Sequence, residues 1–348
     1  MHFIDLEGRI LGPESPCFVI AEAGVNHNGD AETARRLVAA ASRAGADAVK
    51  FQTFRASSLV LENAPKARYQ EAGTGAGSQY EMLRRLELGE KTLVELKACC
   101  AEAGILFLSS VFDEGGIDLL DGLGVSAFKF GSGELTNHSL LSHAARKGKP
   151  LIISTGMSSL REVGDAVSVV RDAGCREIVL LHCVSCYPAY PEDVNLRAME
   201  TLKRTFDVPV GFSDHTLGVE VSLAAAALGA SVIEKHFTLD RAMPGPDHKA
   251  SLEPHELKTL VQGVRKVGLA LGNGRKEPVP AEEETARAAR RSVVAVQDIP
   301  LGARIRSEHI AFKRPGTGLP PSCAAQVLGR KAIADIPSGT LISLEMVE

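Results

Sequence analysis

Neither sign of charge dominates this chain: 39 Lys and Arg stand against 43 Asp and Glu in 348 residues. That near-balance excludes the basic stripe of a nucleic-acid binder and the polybasic run of a membrane-surface protein. No apolar stretch is long enough to span a bilayer. The start, "MHFIDLEGRI", places charges where a secretion signal would need an apolar core. Cysteine is sparse and odd in number, seven in all, which is not the density of a disulfide scaffold. Reduced thiols and a cytosolic (cytoplasmic) location are therefore expected. "CVSC", from Cys183 to Cys186, has redox or zinc-knuckle spacing but no second pair, so two small residues near a strand end is the better reading. Also missing is a glycine-rich phosphate fingerprint after the first strand-like run, which argues against a doubly wound dinucleotide fold.

What is present is a repeated junction: an Ala/Leu-rich helix, a glycine, then a short β-branched run. It appears at Gly45 ("AGADAVKF"), Gly104 ("AGILFLSS"), Gly124 ("GLGVSAFKF"), Gly148 ("KGKPLIIST"), Gly174 ("AGCREIVLL") and Gly229 ("LGASVIEKH"). Glycine just past a helix end accepts the left-handed conformation that closes the helix. The runs that follow are almost continuously apolar, as in parallel strands covered on both faces. With "CFVIAE" at Cys17 and "VPVGFS" at Val208 they make eight strands alternating with helices. That rhythm predicts an α/β chain built on a (β/α)8 TIM barrel over residues 1–275.

After Leu271 the composition changes. Residues 276–290 read as a polar linker leading into a short helix. Residues 291–348 carry "AVQDIPLGARI" and "AIADIPSGTLI", which match at Ala, Asp, Ile, Pro, Gly and Ile. Two copies are too few for a solenoid and predict a compact pseudo-symmetric β-rich module. Its small core is expected to lean on a partner surface.

Barrel active sites lie at the C-terminal ends of the strands. Those ends are Glu22; Lys50 and Gln52; Ser109 and Ser110; Lys129, Ser132 and Glu134; and Ser154 and Thr155. His182; Ser213, Asp214 and His215; and Glu234, Lys235 and His236 complete the rim. His215 and His236 end neighbouring strands. Each alone would more often be a capping or core imidazole; as a pair they suit a borderline cation such as Mn, Co, Fe or Zn, with coordination positions left open. Lys50 and Lys129 emerge from apolar strands, which is costly unless an anion awaits them. Either alone reads as a snorkelling surface lysine, whereas both, with Ser132, Ser154, Ser213 and the "GSG" backbone, suit a phosphate and a carboxylate. Glu134 is the natural proton carrier there, Glu22 is placed to orient a polar substrate, and Asp247 in "GPDHKAS" is either a hydroxyl contact or a turn former.

The ordered set "AEAGVNHNGD", "KFQTF", "FKFGSGE", "STGMSS", "LLHCVSCYP", "GFSDHT", "EKHFTLD", "GPDHKAS" and "KRPGTG" resembles the sialic acid (nonulosonic acid) synthases, including their C-terminal antifreeze-like (SAF) domain. The resemblance covers nearly the whole chain. It implies condensation of phosphoenolpyruvate with N-acetylmannosamine and water to give N-acetylneuraminate and phosphate. The 2,4-diacetamido-6-deoxy analogue, giving diacetyllegionaminate, is the alternative. Carried over by motif, His215 and His236 are the ligands of a divalent metal, Mn2+ with Mg2+ or Co2+ as options. Lys50, Lys129, Ser132, Ser154 and Ser213, with Ser110 and Ser185, hold phosphoenolpyruvate. Glu22, Gln52, Tyr187 and Asp247 contact the sugar, Phe112 lines the cavity, and Glu134 is the catalytic carboxylate. The resemblance also implies a homodimer with swapped C-terminal domains, in which Arg314 reaches the neighbour's site. Two departures stand out: residue 185 is serine where asparagine is common, and the segment Tyr69–Leu83 is glycine-rich and expected to help select the sugar. A class II-type aldolase or sugar isomerase would call for a third strong metal ligand, and a non-catalytic sugar-binding protein would tolerate loss of Glu134 or a histidine.

Overall fold

The computed structural model describes residues 3–12 and 15–348. They form two compact units, divided between Gly272 and Asn273. No helix among the described residues is long and apolar enough to cross a membrane.

The first unit opens with an antiparallel hairpin, β1 (Ile4–Leu6) and β2 (Arg9–Leu11). Eight parallel strands follow: β3 (Phe18–Gly24), β4 (Ala48–Thr53), β5 (Leu106–Val111), β6 (Phe128–Phe130), β7 (Leu151–Ser154), β8 (Ile178–Cys183), β9 (Val210–Asp214) and β10 (Val232–His236). They close in sequence order, β10 pairing with both β9 and β3. All eight expected strands are present, and the junction glycines behave as expected: Gly45 ends the helix Ala31–Ala44 at φ +83°, donating back to Ala41 and Ser42 carbonyls. The other five also have positive φ.

The two-residue period of each strand sorts its side chains. Val19 and Ala21 of β3 join the large core between strands and helices. Phe18 and Ile20 face inward, where they pack with Leu106, Leu108, Ile152, Val179 and Val232. The hairpin plugs this lower interior with Ile4, Leu6 and Leu11, all buried. One step further along each strand the inward positions turn polar: Glu22, Lys50, Ser110, Lys129, Ser154, Ser213 and Glu234 are all buried. The barrel is thus apolar at its base and ionic at the end where chemistry is expected.

At Gly211, β9 and β10 approach so closely that an added Cβ would lie 2.3 Å from the Val232 carbonyl oxygen. Glycine there permits the contact between the two strands that carry the histidines.

The second unit is built around the internal repeat. Strands β11 (Ser292–Ala295) and β12 (Ile310–Lys313) pair antiparallel. Ile299 and Ile336, equivalent in the two copies, exchange both backbone hydrogen bonds at 2.9 Å. The turns cap each other reciprocally: Leu301 N–H donates to Asp335 Oδ1 at 2.7 Å and Ser338 N–H to Asp298 Oδ1 at 2.8 Å. Val293, Ala295, Ile299, Ile305, Val327, Ile336 and Ile342 are among the residues that fill the core beneath.

Candidate active site

A cavity of about 480 Å³ opens at the polar end of the barrel. Its floor is an ionic cluster. Lys50 Nζ lies 2.6 Å from Glu22 Oε2 and 3.8 Å from Glu234 Oε2, and it donates to Ser110 Oγ at 2.7 Å. Lys129 Nζ lies 3.5 Å from Glu234 Oε1 and donates to Ser154 Oγ at 2.7 Å and to the Phe130 carbonyl at 2.9 Å. Ser213 Oγ donates to Glu234 Oε1 at 2.9 Å. Glu234 therefore stands between the two lysines, the place the sequence reading left to an anionic substrate alone. The signal for it was available: His236 faces the cavity, so the residue two before it must as well.

Burial and mutual charge set the protonation states. Burial pushes the Glu22 carboxyl up, with Glu234 adding to the effect and Lys50 opposing it. Burial also acts on Glu234, but Lys129 and Lys50 outweigh it and hold that carboxyl well below the usual range. Buried Asp247 is raised to about 6, chiefly by desolvation.

The wall on one side is aromatic and imidazole. Tyr187 stacks on Tyr69 with centroids 5.0 Å apart and sits 4.1 Å from the His215 ring, and the two imidazoles are 5.5 Å apart. His215 Nδ1 is 2.7 Å from the Val184 carbonyl, so Nδ1 carries a proton; burial would lower this imidazole's pKa, but Cys183 and the Val184 carbonyl outweigh it and hold it raised. His236 is held neutral by burial, reinforced by His215 and Lys50, and its buried Nδ1 has no hydrogen-bond partner. Among the described residues no group of three His, Cys, Asp or Glu side chains could hold a metal. Two imidazoles, one with an orphaned buried nitrogen, still fit a divalent ion whose remaining positions stay open to water or substrate.

Another stretch of the lining is largely apolar. The glycine-rich segment is largely helical, Arg68–Thr74 and Gln79–Leu86, with Ser78 capping the second helix. Lys66 Nζ ties it down by donating to the carbonyls of Gly75 and Ala76 at 3.0 and 3.3 Å. Met82, Leu83 and Leu86 of this segment, with Val25 and Phe112, line the cavity beside the polar Gln70 and Gln79. The sequence reading places Phe112 and the segment Tyr69–Leu83 here but does not single out Met82 and Leu86, because their helix lies in a loop outside the repeated strand–helix rhythm.

The structure brings Gln52, Ser132 and Ser185 into the same lining, with Gly156 N–H donating to Ser132 Oγ at 2.9 Å. Glu134 is not among the lining residues; it ends the short 3₁₀ turn Ser132–Glu134, where its Oε2 accepts from Asn137 Nδ2 at 3.1 Å. Burial raises its carboxyl, against the Asn137 hydrogen bond. Arg314 belongs to the second unit, exposed, with Nε donating to the Ala289 carbonyl at 3.1 Å. Other rim residues face away from the cavity, because alternate side chains on a strand take opposite faces. Thr53 and Ser109 share a hydrogen bond, Thr155 Oγ1 donates to the Leu181 carbonyl, and His182 Nε2 contacts the Val194 carbonyl. Asp214 and Lys235 pair with each other outside the lining.

Comparison with known proteins matches this geometry to a lineage. Residues 37–276 match the NeuB family model and residues 290–348 the SAF domain model. A Legionella pneumophila protein named N,N'-diacetyllegionaminic acid synthase is 47% identical over 97% of this chain and 96% of its own length. The human N-acetylneuraminate-9-phosphate synthase is 37% identical over 98% of this chain and 95% of its own. The crystal structure of a Leptospira borgpetersenii N-acetylneuraminic acid (sialic acid) synthetase, in complex with citrate, superposes with a TM-score of 0.73 at 36% identity, covering 82% of this chain and 95% of that one. The chain belongs to the NeuB family and carries a C-terminal SAF domain.

Proposed function

We propose that this enzyme condenses phosphoenolpyruvate with the open-chain form of 2,4-diacetamido-2,4,6-trideoxymannose, giving diacetyllegionaminate and phosphate. The observation that carries the reading is the cavity's division of labour: two buried lysines on a serine-lined floor, two imidazoles beside Tyr187, and an apolar stretch of lining from Met82, Leu83 and Leu86. The floor suits a small substrate bearing phosphate and carboxylate. Lys50, Lys129, Ser132, Ser154 and Ser213 would bind it, with Ser110 and Ser185 beside them. His215 and His236 would hold a divalent cation, Mn2+ in the family's manner, which when bound polarises the sugar aldehyde. Gln52, Tyr187 and Asp247 would orient the sugar's hydroxyl and amide groups.

In the reaction, C3 of the enol attacks the aldehyde carbon, and the aldehyde oxygen gains a proton. Water adds at C2, losing a proton, and the adduct releases phosphate by breaking its C–O bond. Glu22 lies inside the cavity with its carboxyl raised toward neutrality, so it meets the demand for a proton carrier. Glu134, on the short turn after β6, would serve as the second carboxylate.

The sugar is assigned from two supports. Identity is higher to the diacetyllegionaminic acid synthase than to the N-acetylneuraminate-9-phosphate synthase. Met82, Leu83 and Leu86 also suit the methyl groups of a 6-deoxy, twice-acetylated sugar better than a terminal hydroxyl. N-acetylmannosamine, giving N-acetylneuraminate, is the second reading, supported by the polar Gln70 and Gln79 on the same wall. Phosphate release with phosphoenolpyruvate and each sugar separates them. The trideoxy sugar is expected to lead by about 10-fold or more in kcat/KM, the scale of one group in an apolar pocket. A lead for N-acetylmannosamine reverses the assignment, and no phosphate release with either removes it.

The swapped homodimer belongs to the same proposal. Arg314→Ala and His236→Ala proteins, each inactive alone, should regain roughly a quarter of their sites when co-refolded, because half the dimers are mixed and one site in each is complete. A mixture that exchanges subunits but stays inactive removes the trans role of Arg314.

A further inference from the structure

Directly behind the two cavity histidines, on the helix-facing side of the sheet, lies a buried ion pair with no part in the cavity lining. Asp214 and Lys235 are register partners on β9 and β10, each about 1% exposed. Lys235 Nζ lies 2.7 Å from Asp214 Oδ2 and donates to the Thr216 carbonyl at 2.5 Å. Asp214 Oδ1 accepts from both Thr216 N–H and Thr216 Oγ1 at 2.8 Å, and its Oδ2 accepts from Ser222 Oγ at 2.5 Å. Both carboxylate oxygens are thus occupied.

We infer that this clasp is a positioning device that sets the separation of the His215 and His236 imidazoles. Buried ion pairs contribute little net stability, since desolvation offsets the attraction, and an apolar pair of similar size often does as well. What such a pair does supply is a specified geometry. Asp214 precedes His215, Lys235 precedes His236, and Thr216, held on three atoms, follows His215. The backbone on both sides of His215 is therefore tied to the strand that carries His236. Across the sheet the Val184 carbonyl fixes the His215 ring, and the Ala189 N–H donates to its backbone carbonyl at 2.9 Å. The rings are left 5.5 Å apart, with the clasp tying the two strands from behind and His215's own hydrogen bonds fixing its ring and carbonyl.

The inference rests on the metal-binding reading for its purpose, although the spacing can be measured without it. The double variant Asp214→Asn/Lys235→Met removes both charges together, so neither is stranded. In crystals of the metal-free protein, the ring separation should change by more than about 0.5 Å, the tolerance of a preorganised site. Mn2+ affinity, titrated by electron paramagnetic resonance, should fall about 10- to 100-fold, as when partners of metal ligands are lost. Ser222→Ala removes one hydroxyl and serves if the double variant does not fold, with about a threefold loss of affinity expected. Unchanged ring spacing and affinity in the folded double variant, or in Ser222→Ala where that alone folds, overturns the inference. Failure of the wild-type protein to bind Mn2+ instead sinks the metal reading, and ring spacing in the variants then judges the clasp.

Discussion

The barrel and the C-terminal unit bury opposite kinds of surface. In the barrel, Glu22, Lys50, Lys129, Asp214, Glu234, Lys235 and Asp247 are all less than a tenth exposed. In the C-terminal unit Ser292 is the one buried polar side chain among the described residues, and its core is aliphatic. Its carboxylates, Asp298 and Asp335, cap turns from the exposed side. Burying charge costs free energy unless partners are in place, so a fold that does it repeatedly at one end of one barrel is spending stability on a site. The C-terminal unit, with no such cluster, shows what the same chain does when only packing is required.

The largest effect that would sharpen this contrast is on turnover. His236→Ala should lower phosphate release by about 10²- to 10³-fold, the scale of losing one preorganised electrostatic group, while the thermal midpoint changes little. Near wild-type turnover would show that the imidazole pair is not part of the chemistry.

Ile336→Ala should act in the reverse sense. Truncating a buried aliphatic residue in so small a core costs about 2–5 kcal/mol, and faster hydrogen exchange at Val293, Ala295 and Ile342 would report it. Exchange at β5 and β8 should stay as in the wild type. If barrel amides accelerate equally, the two units do not unfold separately.

A third comparison uses pH. Burial lowers the His27 pKa to about 4, against an ordinary value of 6.5. An unfolded His27 therefore takes up a proton that the folded barrel refuses. Its stabilising contribution is intact above about pH 6.5 and is lost as pH falls toward 4, by about 3 kcal/mol at most. Replacing it in His27→Gln should flatten the slope of barrel stability in that window by up to one proton, measured by chemical denaturation. Equal slopes would show that His27 is protonated in the fold.

The smallest expected effect is in the turns of the C-terminal unit. Asp298→Ala removes the acceptor of the Ser338 N–H at an exposed site, worth about 1 kcal/mol. Asp335→Ala, its counterpart in the repeat, should cost about the same. A difference of more than about 1 kcal/mol between them would break the pseudo-two-fold reading.

Much of the architecture was written locally. Glycines after amphipathic helices, and β-branched runs covered on both sides, depend only on near neighbours in the chain, which is why eight strands and the repeated "DIPxG" turns were legible. The same holds for the strand-end residues: Lys50, Lys129, Ser154, Ser213, His215 and His236 could be named because a barrel has one functional end. What required the tertiary structure was the face each side chain takes and what it meets there. Asp214 and Lys235 looked like cavity residues by position, yet the alternation of the strand turns them to the helix layer, where they clasp one another. Glu234, by the same alternation, lands between two lysines that lie more than a hundred residues away in the chain. Met82 and Leu86 reach the cavity because a loop helix folds over it, a placement that no local periodicity encodes. Sequence alone determined the elements and the end of the barrel where ionisable groups gather. Only the closed barrel decided which charges pair and which wall is apolar, because those contacts join residues that share no local pattern.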